Sequence, residues 1–179
     1  MIGEQTRQRL LYQALFSVMT IGFLFLHILP LNALPAMFPG PDMVLCFALV
    51  WVLRRPDYLP PVLLVTLMLL CDFVLQRPPG LWAMIVLIAA EFQRSRFQGE
   101  GDIPFLAEWA ISAAIMTAAT LVNDLTLYVV GVAHSSVAFS VVQIFMNIAF
   151  YPVAMGISVF GAGLRRPAPS DFEARGGHA

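Results

Sequence analysis

The sequence predicts an all-α integral membrane protein built as a bundle of six transmembrane helices. Three observations lead there. Apolar residues make up 59% of the 179 and charged residues 12%, against roughly half and about a quarter in soluble domains. Such a chain has too little charge to cover a soluble surface. Six apolar segments follow one another, separated by short polar stretches. All ten basic residues are arginines, at Arg7, Arg9, Arg54, Arg55, Arg77, Arg94, Arg96, Arg165, Arg166 and Arg175, between those segments.

If all six segments cross a bilayer, every arginine but Arg77 falls on one side. That is the positive-inside bias of an inner-membrane protein. A four-span alternative, in which the two shortest segments merely re-enter, would put Arg54 and Arg55 on the opposite side. Six spans with both termini cytoplasmic are therefore expected.

The first segment, residues 10–29, is longer than the apolar core of a cleaved leader and has no small-residue cleavage pattern after it. It reads as an uncleaved span ending at Pro30. Residues 30–42 carry Pro30, Pro35, Pro39, Gly40 and Pro41 and form a loop. The second segment, 42–53, would rise only about 18 Å as a helix, against a hydrocarbon core near 30 Å. The third, 58–75, follows Arg54-Arg55-Pro56-Asp57; the fourth, 80–92, is short again and follows Arg77-Pro78-Pro79. The fifth and sixth, 105–132 and 137–164, are long enough to tilt and are separated by a tight turn at 131–136. Residues 1–166 thus form one membrane domain. The polar tail 167–179 is expected to be disordered.

Ionisable groups inside a membrane cost a few kcal/mol, roughly, on insertion scales, so each needs a reason. Asp72 lies three residues from the end of the third segment. It is either a substrate, proton or helix-pairing site, or an interfacial residue that is solvated or paired with Arg77. Asn123 and Asp124, with Thr120 and Thr126 nearby, make the most polar patch within a span. Gln143 and Asn147 lie four apart on one face of the sixth segment and could meet that patch across the turn. Ordinary interhelical hydrogen bonds explain that pair most simply.

Glu91 and Glu108 sit at the cytoplasmic ends of their segments and read as solvated interfacial carboxylates. His27 reads as interfacial too. Trp51, Trp82, Trp109, Tyr12 and Tyr58 lie close to the expected interfaces, as aromatic belts do. Small residues recur every fourth position at Ala110, Ala114 and Ala118, and at Ala154, Ser158 and Ala162, spacing that lets helices approach closely. They suggest packing within the bundle first and a partner surface second. Pro152 should kink the last helix and leave the carbonyl of Ile148 without its helical donor. Cys46 and Cys71 read as buried small hydrophobes. No nucleophile motif, paired histidines, phosphate loop or basic stripe is present, so no enzyme, cofactor, metal or nucleic-acid function is expected.

Two stretches, Arg54-Arg55-Pro56-Asp57-Tyr58-Leu59-Pro60-Pro61 and Leu70-Cys71-Asp72-Phe73-Val74-Leu75-Gln76-Arg77-Pro78-Pro79-Gly80-Leu81-Trp82, together resemble the rod shape-determining protein MreD family. That family shows an arginine-proline lead-in to a span, an aspartate near its outer end, and a short turn with a glycine-leucine restart. Asn147 with Tyr151-Pro152 resembles its last span. Leu69 and Gln76 stand where the family often has glycines. The resemblance implies a non-catalytic inner-membrane component of the bacterial elongation machinery, partnered by an MreC-like protein. It links indirectly to MreB filaments and to the RodA peptidoglycan polymerase with its transpeptidase. The implied fold is similar to the substrate-binding subunits of energy-coupling-factor vitamin transporters. That fold keeps an alternative open: a subunit binding a vitamin-like molecule at its outer face, near Asp72, Trp82 and the 30–42 loop.

Overall fold

The computed structural model describes residues 2–29, 39–97, 104–132 and 136–164; the expectations for most of the 30–42 loop, Arg165, Arg166, Arg175 and the tail lie outside them. Among the described residues all regular structure is helical. The order is α1 (Ile2–Ile28), α2 (Met43–Arg54), a 3-10 turn (Pro56–Tyr58), α3 (Pro61–Val74), α4 (Leu81–Phe97), α5 (Phe105–Val130) and α6 (Val137–Gly156), which runs on into a π-helical turn (Ile157–Gly161). Three stretches, Thr6–Ile28, Phe105–Val130 and Val137–Gly161, are long and apolar enough to cross a membrane.

The shortest helix is the centre of the bundle. Every residue of α2 from Leu45 to Leu53 is buried, and α1, α4 and α6 all pack on it. A helix that is apolar on every side is kept from water, here by the helices around it. The outer helices turn large apolar side chains outward instead, among them Val62, Phe73, Ile88, Leu125, Phe145 and Phe160. Patches of that kind mark a membrane or partner surface rather than a soluble one.

Helix α1 docks through one stripe. Phe16, Thr20 and Leu24, each four residues after the last, are its buried positions. Aromatic rings near its middle fix the approach. Tyr12 stacks on Tyr58 at 4.4 Å between centroids and meets Trp51 edge-on at 6.1 Å, while Phe16 lies 5.2 Å from Trp51. Trp51 is fully buried and donates through its indole to Ser158 Oγ at 3.2 Å. It is a core anchor, not the belt residue expected from its position. The Tyr12 hydroxyl reaches the carbonyl of Ala162 at 3.0 Å, tying the first helix to the end of the last.

Several boundaries differ from expectation for local reasons. Helix α3 starts at Pro61 rather than near Tyr58, since Pro60 lacks an amide and Pro61 suits a first helical position. Helix α4 continues past Phe92 to Phe97, because Arg94 finds partners beside it, Glu91 and the carbonyl of Leu59. The arginine thus extends a helix where a polar loop was expected.

The turn after α3 closes in the Schellman pattern. The Arg77 amide bonds to the Asp72 carbonyl at 3.0 Å and the Gln76 amide to that of Phe73 at 3.3 Å. This requires a left-handed residue, and Gln76 takes it with φ +52°. A glycine meets the same demand after α5, where Gly131 has φ +73°.

The two small-residue stripes have different fates. Ala154 and Ser158 are buried against the core, and Ala162 is partly so. Ala110, Ala114 and Ala118 are exposed, on the outward side of α5. Close packing inside the bundle therefore uses only the stripe on α6.

The carbonyl freed by Pro152 is not left bare. The Trp109 indole donates to Ile148 O at 2.9 Å, standing in for the missing helical amide. Removing that donor in Trp109→Phe should cost about 1–3 kcal/mol. The loss should shrink in a Pro152→Ala background, where the backbone supplies its own amide; denaturant titration of the four proteins in micelles measures the coupling. Gln76→Gly should raise stability by about 1 kcal/mol by relieving the left-handed strain, read by the same titration.

Candidate functional site

Polar side chains gather at the two ends of α2 and leave its middle apolar. At the Arg54 end lies a buried ion pair. Arg54 Nε and Nη2 donate to Glu108 Oε1 and Oε2 at 3.1 and 3.0 Å, a bidentate fork, with side-chain exposures of 11% and 1%. The Tyr151 hydroxyl adds a third donor to Oε1 at 3.2 Å. Glu108 was expected to be a solvated interfacial carboxylate. It is instead the point where α2, α5 and α6 meet. Three charge-assisted bonds explain why: they offset much of the desolvation cost of enclosing this carboxylate. Gln93, also buried, donates to Ser112 Oγ at 3.2 Å and joins α4 to α5 beside this cluster. Further out, Arg9 and Asp57 approach to 3.7 Å with both side chains about half exposed, a contact worth little.

At the Asp42 end the groups form an open cavity. Asp42 is the N-cap of α2, its Oδ1 accepting from the Leu45 amide at 3.0 Å. Its backbone amide donates to Asn147 Oδ1 at 2.7 Å, and its other carboxylate oxygen lies 3.5 Å from Arg77 Nη1. The Arg77 guanidinium rests 5.5 Å from the centroid of Trp82. Gln143 donates to the Gly40 carbonyl at 3.3 Å. The two amides on α6 therefore hold the segment leading into α2. They do not bond to Asn123 and Asp124, though all four line one cavity of about 220 Å³ with Asp42, Arg77, Trp82, Thr120 and Ser140. Thr126 does not line it; its hydroxyl bonds back to Val122 O at 2.7 Å. Asn123 and Asp124 are half-buried and share a 3.5 Å contact.

Asp72 sits behind this cavity and is fully buried. Its Oδ2 accepts from the amides of Gly80 at 3.0 Å and Ala83 at 3.2 Å. These are amides at the start of α4, which has only Pro79 and Gly80 before it and no capping side chain of its own. Asp72 is thus a cap lent by the preceding helix, its charge placed at the positive end of α4. Arg77, the partner considered for it, pairs with Asp42 instead.

A second, apolar groove of about 380 Å³ runs between α4 and α5, lined by Ile85, Ile88, Phe92, Ala114, Ala118 and Val122 among others. Ala114 and Ala118 of the outward alanine stripe form part of its wall. Cys46 and Cys71 are buried free thiols, and among the described residues no cluster of His, Cys, Asp or Glu has the makings of a metal site.

The resulting class is an all-helical bundle with three membrane-length helices, a locked polar end and an open one. No family model, curated protein or solved structure matches the chain.

Breaking the Arg54–Glu108 pair from one side should be severe. Arg54→Met leaves a buried carboxylate without its counter-charge and should cost about 3–5 kcal/mol. Combining Arg54→Met with Glu108→Leu should restore most of that loss, since both charges then leave together. Unfolding of the single and double variants in micelles is the measurement.

Proposed function

We propose that this chain is a non-catalytic component of the bacterial inner membrane of the MreD type, acting with an MreC-like partner in cell elongation. One observation carries the reading. The stretches that resemble the family supply the joints of the bundle: Arg54 anchors α2 to α5, Asp72 caps α4, and Asn147 holds the backbone at Asp42. A likeness due only to membrane composition would fall on outward apolar residues. This one includes buried polar groups with defined partners beside outward residues such as Leu70 and Phe73.

The same reading includes six spans with both termini cytoplasmic, and a fold like that of the energy-coupling-factor subunits. The arginine distribution supports the orientation. MreB filaments and the RodA synthase with its transpeptidase would be reached through the partner. A second reading, a subunit that binds a small molecule, is favoured by the cavity at the Asp42 end. More polar groups converge there than the sequence suggests for the outer half.

Depletion in a rod-shaped host that carries this chain separates the two: rounding of the cells is expected for the elongation role, and auxotrophy for a vitamin-binding one. Co-expression with the host's MreC-like protein should yield a complex stable in mild detergent, and repeated recovery of separate proteins would count against partnership. A reporter fused after Gly40 should be active only outside the cytoplasm.

A further inference from the structure

We propose that the cavity at the Asp42 end binds a small organic ammonium compound, with Asp124 as its counter-ion. The proposal rests on the second reading above only in that a small molecule enters this cavity; it requires no transport.

The charges around the cavity do not balance. Two carboxylates, Asp42 and Asp124, and one guanidinium, Arg77, line it. Arg77 is engaged by Asp42 at 3.5 Å and by the face of Trp82. Asp42 has in addition the first-turn amide of Leu45. Among the described residues Asp124 has neither kind of partner. Among the described residues its one hydrogen bond is the 3.5 Å contact donated by its neighbour Asn123. It lies six residues before the end of α5 at Val130, about 9 Å along the helix from that end. A carboxylate at that depth, between apolar helices, calls for a positive partner.

The remaining lining suits an ammonium group with an alkyl body. The amide oxygens of Asn123 and Gln143 and the hydroxyl of Ser140 accept N–H bonds, while Leu81, Leu127 and Phe139 offer apolar walls. The volume of about 220 Å³ holds roughly seven waters at liquid density. That is the size of a diamine or amino alcohol, and too small for a loop of a folded partner.

Three four-carbon probes of nearly one shape test the assignment: putrescine, 1,4-butanediol and succinate. Each is titrated calorimetrically into the full chain in lipid nanodiscs. Putrescine should bind, with the diol and the dianion at least tenfold weaker, roughly what one charged hydrogen bond contributes. Asp124→Asn, close in shape, should weaken putrescine roughly ten- to a hundredfold, and Asp124→Glu should keep most of the affinity. Preferred binding of the diol or of succinate would overturn the ammonium assignment while leaving a ligand-binding cavity. Absence of heat from all three at 10 mM, on the order of the weakest useful affinity, would overturn both. Undiminished putrescine binding to a folded Asp124→Asn protein would remove Asp124 from the role. The probe comparison on the unaltered chain stands even if that variant does not fold.

Discussion

A twelve-residue apolar helix with no side facing water or lipid has to find partners for both of its ends inside the protein. Helix α2 does so with opposite charges. Asp42 caps its N-terminus and Arg54 occupies its last turn, the order that its macrodipole favours. Neither charge is left to the dipole alone. Asp42 is held by Asn147 and Arg77, and Arg54 by Glu108 and, through it, Tyr151. Those contacts recruit α6, the turn before α4, and α5. The bundle is thus organised by the needs of its shortest member.

The helices themselves were legible. Apolar runs broken by proline, glycine and arginine pairs mark six of them; the run from Val44 to Leu53 is apolar throughout, a pattern that a lipid-facing span shares with an enclosed helix, so its central place was not legible. Pro152 pointed to an orphan acceptor at Ile148. Its donor, Trp109, could not be named because it lies 39 residues away and because tryptophan near a helix end is equally explained by an interface. Glu108 and Arg54 escaped for a related reason. Each stands beside a predicted boundary, where water is a sufficient partner, and nothing in a single chain reports that residues 54 apart point at each other.

Asp72 carried a clue that was open to use. Helix α4 begins at Leu81 after Pro79-Gly80, neither of which has a side-chain acceptor, so its first amides had to be met from elsewhere. The nearest carboxylate upstream is Asp72, eight residues before Gly80. The left-handed turn between them was less visible, because Gln76 fills a position that usually reveals itself as glycine. Gln143 and Asn147 were rightly paired on one helix face. Their partners were missed because they are backbone groups of Gly40 and Asp42, which no residue pattern announces.

The two ends of α2 differ in what they leave available. At the Arg54 end the fork between Arg54 and Glu108, completed by Tyr151, engages both carboxylate oxygens in a buried cluster. Such a network gives rigidity and one fixed arrangement of three helices. At the Asp42 end the same kinds of residue surround an open space, and one carboxylate more than the arginine can neutralise faces it. A bundle with both ends locked would offer other molecules only lipid-like faces. Here the locked end holds α2, α5 and α6 in register, and that register keeps Asp42, Asp124 and Gln143 around a common cavity. Rigidity at one end is therefore the condition for a cavity of fixed shape at the other.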